Sequence, residues 1–269
     1  MIFMFLVLLI GLVVGAFGAM LGIGGGVLLI PLLTVFLGVP IKTAISTSIL
    51  CVIATSSAAG SVYVGRGLTH SRLAMVLEVA TTAGALAGGI TAALVSPRLL
   101  AAFFGVILIY VTFSLHRLPK DDRYVEITGF LDTSYIDPLT GNEVAYGIRK
   151  LGAGMGASFF AGNVSGLLGI GGGIIKVPIM SLVMGVPLRA AIATSNFMIG
   201  ITAATSALIY FARGYMNPAI AIPAALGVLV GAQAGTRIGG RLRSQRLRQV
   251  FQLLLLVFAV QMFVQAYRG

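Results

Sequence analysis

Gly22-Ile23-Gly24-Gly25-Gly26 and its second copy, Gly169-Ile170-Gly171-Gly172-Gly173, decide how this chain folds. Each run sits inside an apolar segment, and glycine costs about 1 kcal/mol against alanine in a helix interior, so a helix is expected to break there. Beyond each break lies an apolar piece, residues 27–38 and 174–185. As a helix such a piece reaches only about 18 Å, against a hydrocarbon core of about 30 Å. Two half-length helices at matching places point to the binding centre of a membrane protein. Irregular backbone is tolerated at that depth only where it lines a cavity or is buried in protein.

The rest of the composition agrees. The 269 residues are 58% hydrophobic and 9% charged, with a mean hydropathy of +1.04, and apolar runs of span length recur along the chain. This predicts an all-α integral membrane protein. A net charge of +11 would suggest nucleic acid in a soluble protein, but here the basic residues flank apolar spans, the pattern of topological anchoring. No nucleic-acid partner is expected. Cys51 is the only cysteine, which excludes an intramolecular disulfide. Residues 1–20 are apolar without a basic start, so a cleaved signal peptide is not expected.

Working outward, residues 43–65, 73–95 and 99–115 read as full spans, the second carrying Glu78. Residues 116–147 form a charged, turn-rich aqueous linker. Within it Tyr124-Val125-Glu126-Ile127-Thr128 and Val144-Ala145-Tyr146 predict a small β-hairpin. The pattern then repeats at a constant shift of 147: Gly22 and Gly169, Pro31 and Pro178, Thr47-Ser48 and Thr194-Ser195, Tyr63 and Tyr210, Gly84 and Gly231. Such self-similarity indicates an internal duplication, with a first repeat at 1–115 and a second at 148–269. If each broken segment is a hairpin, each half makes five passes and the repeats are inverted. The basic residues then divide thirteen against four, with Lys176 left in the membrane; four passes per half divide them nine against eight. The positive-inside rule selects the inverted arrangement, with the linker and the 237–248 loop cytoplasmic.

The chemistry centres on the breaks. The first backbone N–H groups of a helix lack intrahelical partners and carry the positive end of its dipole, so Gly24, Gly25, Gly26 and Gly171, Gly172, Gly173 are candidates to cradle an anion. Close helix packing is the plainer use of any single glycine. Lys176 follows the second run, where the first half has Leu29. A lysine at mid-bilayer costs roughly 2.5–3.5 kcal/mol on insertion scales, so it must face a substrate, a gate or a partner, or else snorkel. Asn163, Asn196 and Gln233 are the amide candidates, and Thr47, Ser48, Thr194 and Ser195 the hydroxyl ones. Glu78 suits either a proton-coupling role or a salt bridge to Arg66 or Arg72 in the adjacent loop.

These residues resemble the TauE/SafE family of sulfite-exporter-like membrane proteins. The resemblance rests on Gly22 to Gly26 with Pro31, Gly38-Val39-Pro40 and Ala44-Ile45-Ser46-Thr47-Ser48, and on the same order at Gly169 to Gly173, Pro178, Gly185-Val186-Pro187 and Ala191-Ile192-Ala193-Thr194-Ser195. It implies transport, in the export direction, of sulfite or small organosulfonates across a prokaryotic plasma membrane. An anion channel or a carrier of other small carboxylates is the alternative within transport. A membrane-embedded enzyme is not expected: His70 and His116 fall in loops and no pair of acids lies within the spans, which leaves little for a metal or nucleophile site. No cofactor is expected. The expected partners are a small anion and the lipid bilayer, and a homodimer is compatible with the sequence.

Overall fold

The computed structural model describes residues 2–117, 131–138, 140–239 and 245–268. Ten α-helices, two π-helical turns and one hairpin follow in order among the described residues. Helix α1, Ile2–Leu21, stops where Gly22, Gly24 and Gly25 adopt left-handed backbone with φ of 71°, 76° and 77°. A side chain would strain all three positions. Helix α2, Gly26–Pro31, starts directly after them and passes into a π-helical turn, Leu32–Phe36. Pro31 supplies a reason for that widening, because it has no N–H for the α-helical bond one turn back. Then come α3 (Ile41–Gly65), α4 (Ser71–Ala92) and α5 (Pro97–Arg117).

After the hairpin the same order of elements recurs. Helix α6, Leu151–Leu168, ends at Gly169 with φ 65°, and α7, Gly173–Pro178, passes into the π-helical turn Ile179–Val183. Helices α8 (Leu188–Ala212), α9 (Pro218–Gly239) and α10 (Gln245–Arg268) complete the chain. Six of these helices, α1, α3, α4, α5, α8 and α9, are long and apolar enough to cross a membrane, while Gly26–Phe36 and Gly173–Val183 are shorter. The protein is a multi-pass membrane protein. Residues such as Leu94, Met75, Val79, Phe113, Leu208 and Phe211 expose apolar surface as lipid-facing positions do.

Small residues set the packing. Gly227, Gly231 and Gly235 of α9 lie against the backbone of Leu8, Leu12 and Ala16 of α1, too close for any side chain. Contacts that advance together along both chains make these helices parallel. Gly84 and Gly88 of α4 pack in the same way on Phe159 and Asn163 of α6, so the first helix after each start lies against the fourth element of the other half. Close backbone approach through glycine is how helices gain contact where lipid removes the hydrophobic drive.

At the centre α3 and α8 cross antiparallel. Ser56 meets Gly200 while Gly60, one turn further along α3, meets Phe197 and Asn196, one turn earlier along α8. The start of α3 correspondingly touches the end of α8, where Ser46 Oγ donates to the Tyr215 carbonyl at 2.8 Å. Helices α5 and α10 are antiparallel too, with Gly105 against Phe263 and Gln252 Nε2 donating to the Thr112 carbonyl at 3.1 Å.

The hairpin pairs β1 (Thr133–Ile136) with β2 (Glu143–Tyr146), Tyr135 opposite Val144. The second strand is the expected one, and it pairs with Thr133–Ile136; the expected 124–128 stretch lies outside the described residues. The turn of the hairpin is closed by Gly141 N–H to Asp137 O at 2.8 Å and Asp137 N–H to Asn142 O at 2.9 Å. Tyr135, Val144 and Tyr146 are buried against Leu68, Leu73, Met184 and Val186, which docks the hairpin on one end of the helical bundle.

Candidate functional site

The two glycine runs meet at the middle of the bundle. Ser48 Oγ of α3 donates to the Gly169 carbonyl at 2.7 Å, and Ser195 Oγ of α8 donates to the Gly22 carbonyl at 2.8 Å. Each serine thus holds the break belonging to the other half. A Cβ on Gly26 would lie 2.5 Å from Ser48 Oγ and 2.9 Å from the Gly169 carbonyl, and one on Gly173 would run into the Gly22 carbonyl and Ser195 Oγ. Of the other glycines, Gly24 and Gly171 close on the Val52 and Ile199 side chains, Gly25 on the side chain and carbonyl of Val14, and Gly172 on the Ala161 carbonyl. Both breaks are fully buried.

The arrangement has an electrostatic consequence. The amino end of α2, at Gly26, sits against the carbonyl at the end of α6, and the amino end of α7, at Gly173, against the carbonyl at the end of α1. Each positive helix end therefore faces a negative one. In this conformation the glycines serve close packing and the pairing of helix ends together.

Lys176 stands one turn into α7, its N–H bonded to Gly172 O at 3.1 Å. Its side chain does not snorkel. Nζ lies 3.3 Å from Glu78 Oε2 and donates to Thr202 Oγ1 at 3.1 Å, while Thr202 Oγ1 donates to Glu78 Oε1 at 2.5 Å. All three residues are buried, with Lys176 at 2% exposure and Glu78 at 6%. Of the two alternatives for Glu78, this replaces the salt bridge to Arg66 or Arg72 with one to Lys176. Arg66 instead donates to the Thr236 carbonyl at 3.4 Å, and Arg72 is exposed. Lys176 wins because it shares Glu78's low-dielectric surroundings, where an unpaired charge costs several kcal/mol, whereas the loop arginines keep water (~1 kcal/mol for an exposed pair).

The remaining candidates separate. Asn196 Nδ2 donates to Ala19 O at 3.2 Å and to Ile192 O at 3.0 Å, which ties α8 to the end of α1; its Oδ1 is buried without a partner. Thr47 Oγ1 is likewise buried and unpartnered. Thr194 Oγ1 accepts from the His70 N–H at 3.0 Å and so belongs to the hairpin end. Asn163 is half-buried on the α4–α6 seam, and Gln233 is exposed. Thr202 escaped the reading of the sequence, although Thr55 and Thr202 are themselves 147 apart. Beside the runs, Leu21, Ile23, Val111, Ser114, Ile174, Val177 and Pro178 line a small, mostly apolar cleft. Among the described residues no group of His, Cys, Asp and Glu could hold a metal ion.

Paired broken helices buried at the centre of a bundle of membrane-length helices define a polytopic membrane protein built on the plan of a transporter. The chain belongs to the TauE/SafE sulfite exporter family, whose model matches residues 7–262. It is 25% identical over 272 residues to the probable membrane transporter protein YunE of Bacillus subtilis, covering 98% of each chain. It is also 25% identical over 285 residues to a probable membrane transporter protein of Methanocaldococcus jannaschii, covering 96% of this chain and 95% of that one. A probable membrane transporter protein of Xylella fastidiosa is 27% identical over 258 residues, 93% of this chain and 90% of the relative. No solved structure matches the chain significantly.

Proposed function

We propose that this protein is a secondary transporter of a small sulfur-containing anion, sulfite or a small organosulfonate, in a prokaryotic plasma membrane. It is built from two inverted-topology repeats, 1–115 and 148–269, joined by the linker 116–147. The observation that carries this reading is the reciprocal pair of contacts at the breaks, Ser48 to Gly169 and Ser195 to Gly22, which relates the halves residue by residue. The antiparallel crossing of α3 with α8 and of α5 with α10 supports inversion, because equivalent helices of a parallel repeat would run the same way. Family membership supports the anion class.

Transport on this plan requires the two halves to move apart at the breaks, so that Gly24, Gly25, Gly171 and Gly172, packed here against Val52, Ile199, Val14 and Ala161, can present their N–H groups to substrate oxygens. The test is flux of labelled sulfite in liposomes carrying the purified protein. Gly25→Val and Gly172→Val are expected to abolish it while leaving the protein in the membrane, since valine resists positive φ and fills the approach. Wild-type flux in both variants would overturn the role of the runs. Absence of anion flux in the wild type would overturn the transport reading itself.

A further inference from the structure

We infer that Glu78, Lys176 and Thr202 form a proton-gated anion site: protonation of Glu78 releases the Lys176 ammonium from its ion pair and hands it to the transported anion. The inference rests on the transport reading and adds the coupling ion to it.

The repeat supplies the argument. The residues 147 positions away from this cluster are Ala225, Leu29 and Thr55. Leu29 is fully buried, so the first half-helix packs in its place with no charge at all. Both members of the ion pair break the symmetry together, and only the uncharged threonine is kept. A buried ion pair is weak evidence for stability, because well-packed apolar residues of similar volume commonly do as well. The other half displays that apolar solution in the same chain. What the pair adds is a place where charge can change.

The surroundings isolate it. On α4 the nearest other charged residue is Arg72, toward the loop, with His70 beyond it. Helix α6 and the turn Ile179–Val183 contribute no titratable residue, and α7 contributes Lys176 alone. Helix α8 contributes Thr202, with Arg189 and Tyr210 near its two ends. The charge on Lys176 is therefore balanced by Glu78 and by nothing else among the described residues of these elements.

The proton balance follows. A proton taken from water adds to Glu78 Oε2, the oxygen facing Lys176; no other bond is made or broken. Thr202 can go on donating to Oε1, and Lys176 can go on donating to Thr202 Oγ1. The ammonium then has two N–H groups without an acceptor and a full charge in a low-dielectric site, which an anion's oxygens can satisfy. Neutrality holds with the ion pair closed and with proton and anion both bound. It fails with either ligand alone. Proton and anion consequently bind together and cross together, in the direction set by their combined gradients.

Methanesulfonate isolates the protein's own proton, because it stays ionised throughout the working range. Its binding to the purified full chain, measured by titration calorimetry from pH 5.5 to 8.5, is expected to weaken on the alkaline side by about tenfold per pH unit, the slope for one linked proton. Glu78→Gln is expected to flatten that dependence and to bind more tightly than wild type at pH 8.5. The double variant Glu78→Ala/Lys176→Leu copies the other half, and is expected to keep the fold and to lose binding. Affinity independent of pH in the wild type, with sulfite flux intact, would overturn the proton gate and leave the transport reading standing. A pH slope retained in Glu78→Gln would move the proton to another group and overturn the assignment. Absence of both binding and flux in the wild type would overturn both readings.

Discussion

At the scale of single residues, the two serines at the breaks have equal roles and so make a paired prediction. Ser48→Ala and Ser195→Ala each strip a buried carbonyl of its donor, a loss of about 1–3 kcal/mol, and the two losses are expected to be alike in thermal unfolding of the detergent-solubilised protein. Gly173→Ala is expected to cost more than Ser195→Ala, because its Cβ meets the Gly22 backbone, which cannot step aside as a side chain can. A Gly173→Ala protein as stable as wild type would show that the breaks do not pack as described. Lys176 and Glu78 were each legible in the sequence as charges that a span should not hold. Their pairing was not, because it joins residues of different halves through a fold that local spacing does not encode. Nor was Thr202 legible as their partner, since a threonine in a membrane helix most often bonds its own backbone, as Thr202 also does to Met198 at 3.4 Å.

At the scale of elements, the glycine breaks and the order of the spans could be read directly, since a run of glycines stops a helix whatever surrounds it. The second strand of the hairpin was legible, while its partner Thr133–Ile136 was not singled out, because its β-branched and aromatic residues resemble those of Tyr124 to Thr128. What docks the hairpin is its buried Tyr146, edge-on to His70 with ring centroids 5.9 Å apart. His70 also caps α4: its Nδ1 accepts from the Leu73 N–H at 3.2 Å and its Nε2 faces the Leu131 carbonyl at 2.8 Å, contacts that need the neutral ring with its hydrogen on Nε2. Burial pushes the imidazole below its usual 6.5 and Arg72 adds to this, against the opposing pull of the Leu131 carbonyl. The released ring therefore binds protons more readily than the docked one, so docking is most stable above about pH 6.5 and weakens as pH falls from there toward the lowered value. Hydrogen exchange of residues 131–146 is expected to speed up between pH 7.5 and 5.5, after correction for intrinsic rates. His70→Asn can cap the helix without titrating and should remove most of that change. An unchanged pH response in His70→Asn would place the switch elsewhere.

At the scale of the whole molecule, the ends of the bundle differ in charge. Arg66, Arg72, Arg149, Lys150, Arg189 and Arg237 gather at the end that carries the hairpin, where Arg189 pairs with Asp137. Lys42, Arg98 and Arg213 lie at the other end, where Lys42 Nζ reaches the Ala93 carbonyl at 3.5 Å and stands 5.2 Å from the centre of the Tyr215 ring. Charge counted along the sequence foresaw this division because spans separated by short loops must alternate sides, and alternation needs no knowledge of packing. Which helices touch was not legible, since the α1–α9 and α4–α6 seams depend on glycine spacings that recur throughout the chain. The positive-inside rule predicts that the hairpin end faces the cytoplasm. In a Cys51→Ala background, Arg98→Cys is expected to react from outside intact cells with a thiol reagent that cannot cross the membrane. Thr140→Cys, at the exposed hairpin turn, is expected to react only after the cells are opened. The two sites report on opposite ends of the bundle, so their reactivities must be complementary if the chain inserts in a single orientation. Labelling of Thr140→Cys and not Arg98→Cys in intact cells would turn the molecule over. Labelling of both would mean two orientations, which a division of thirteen basic residues against four should forbid.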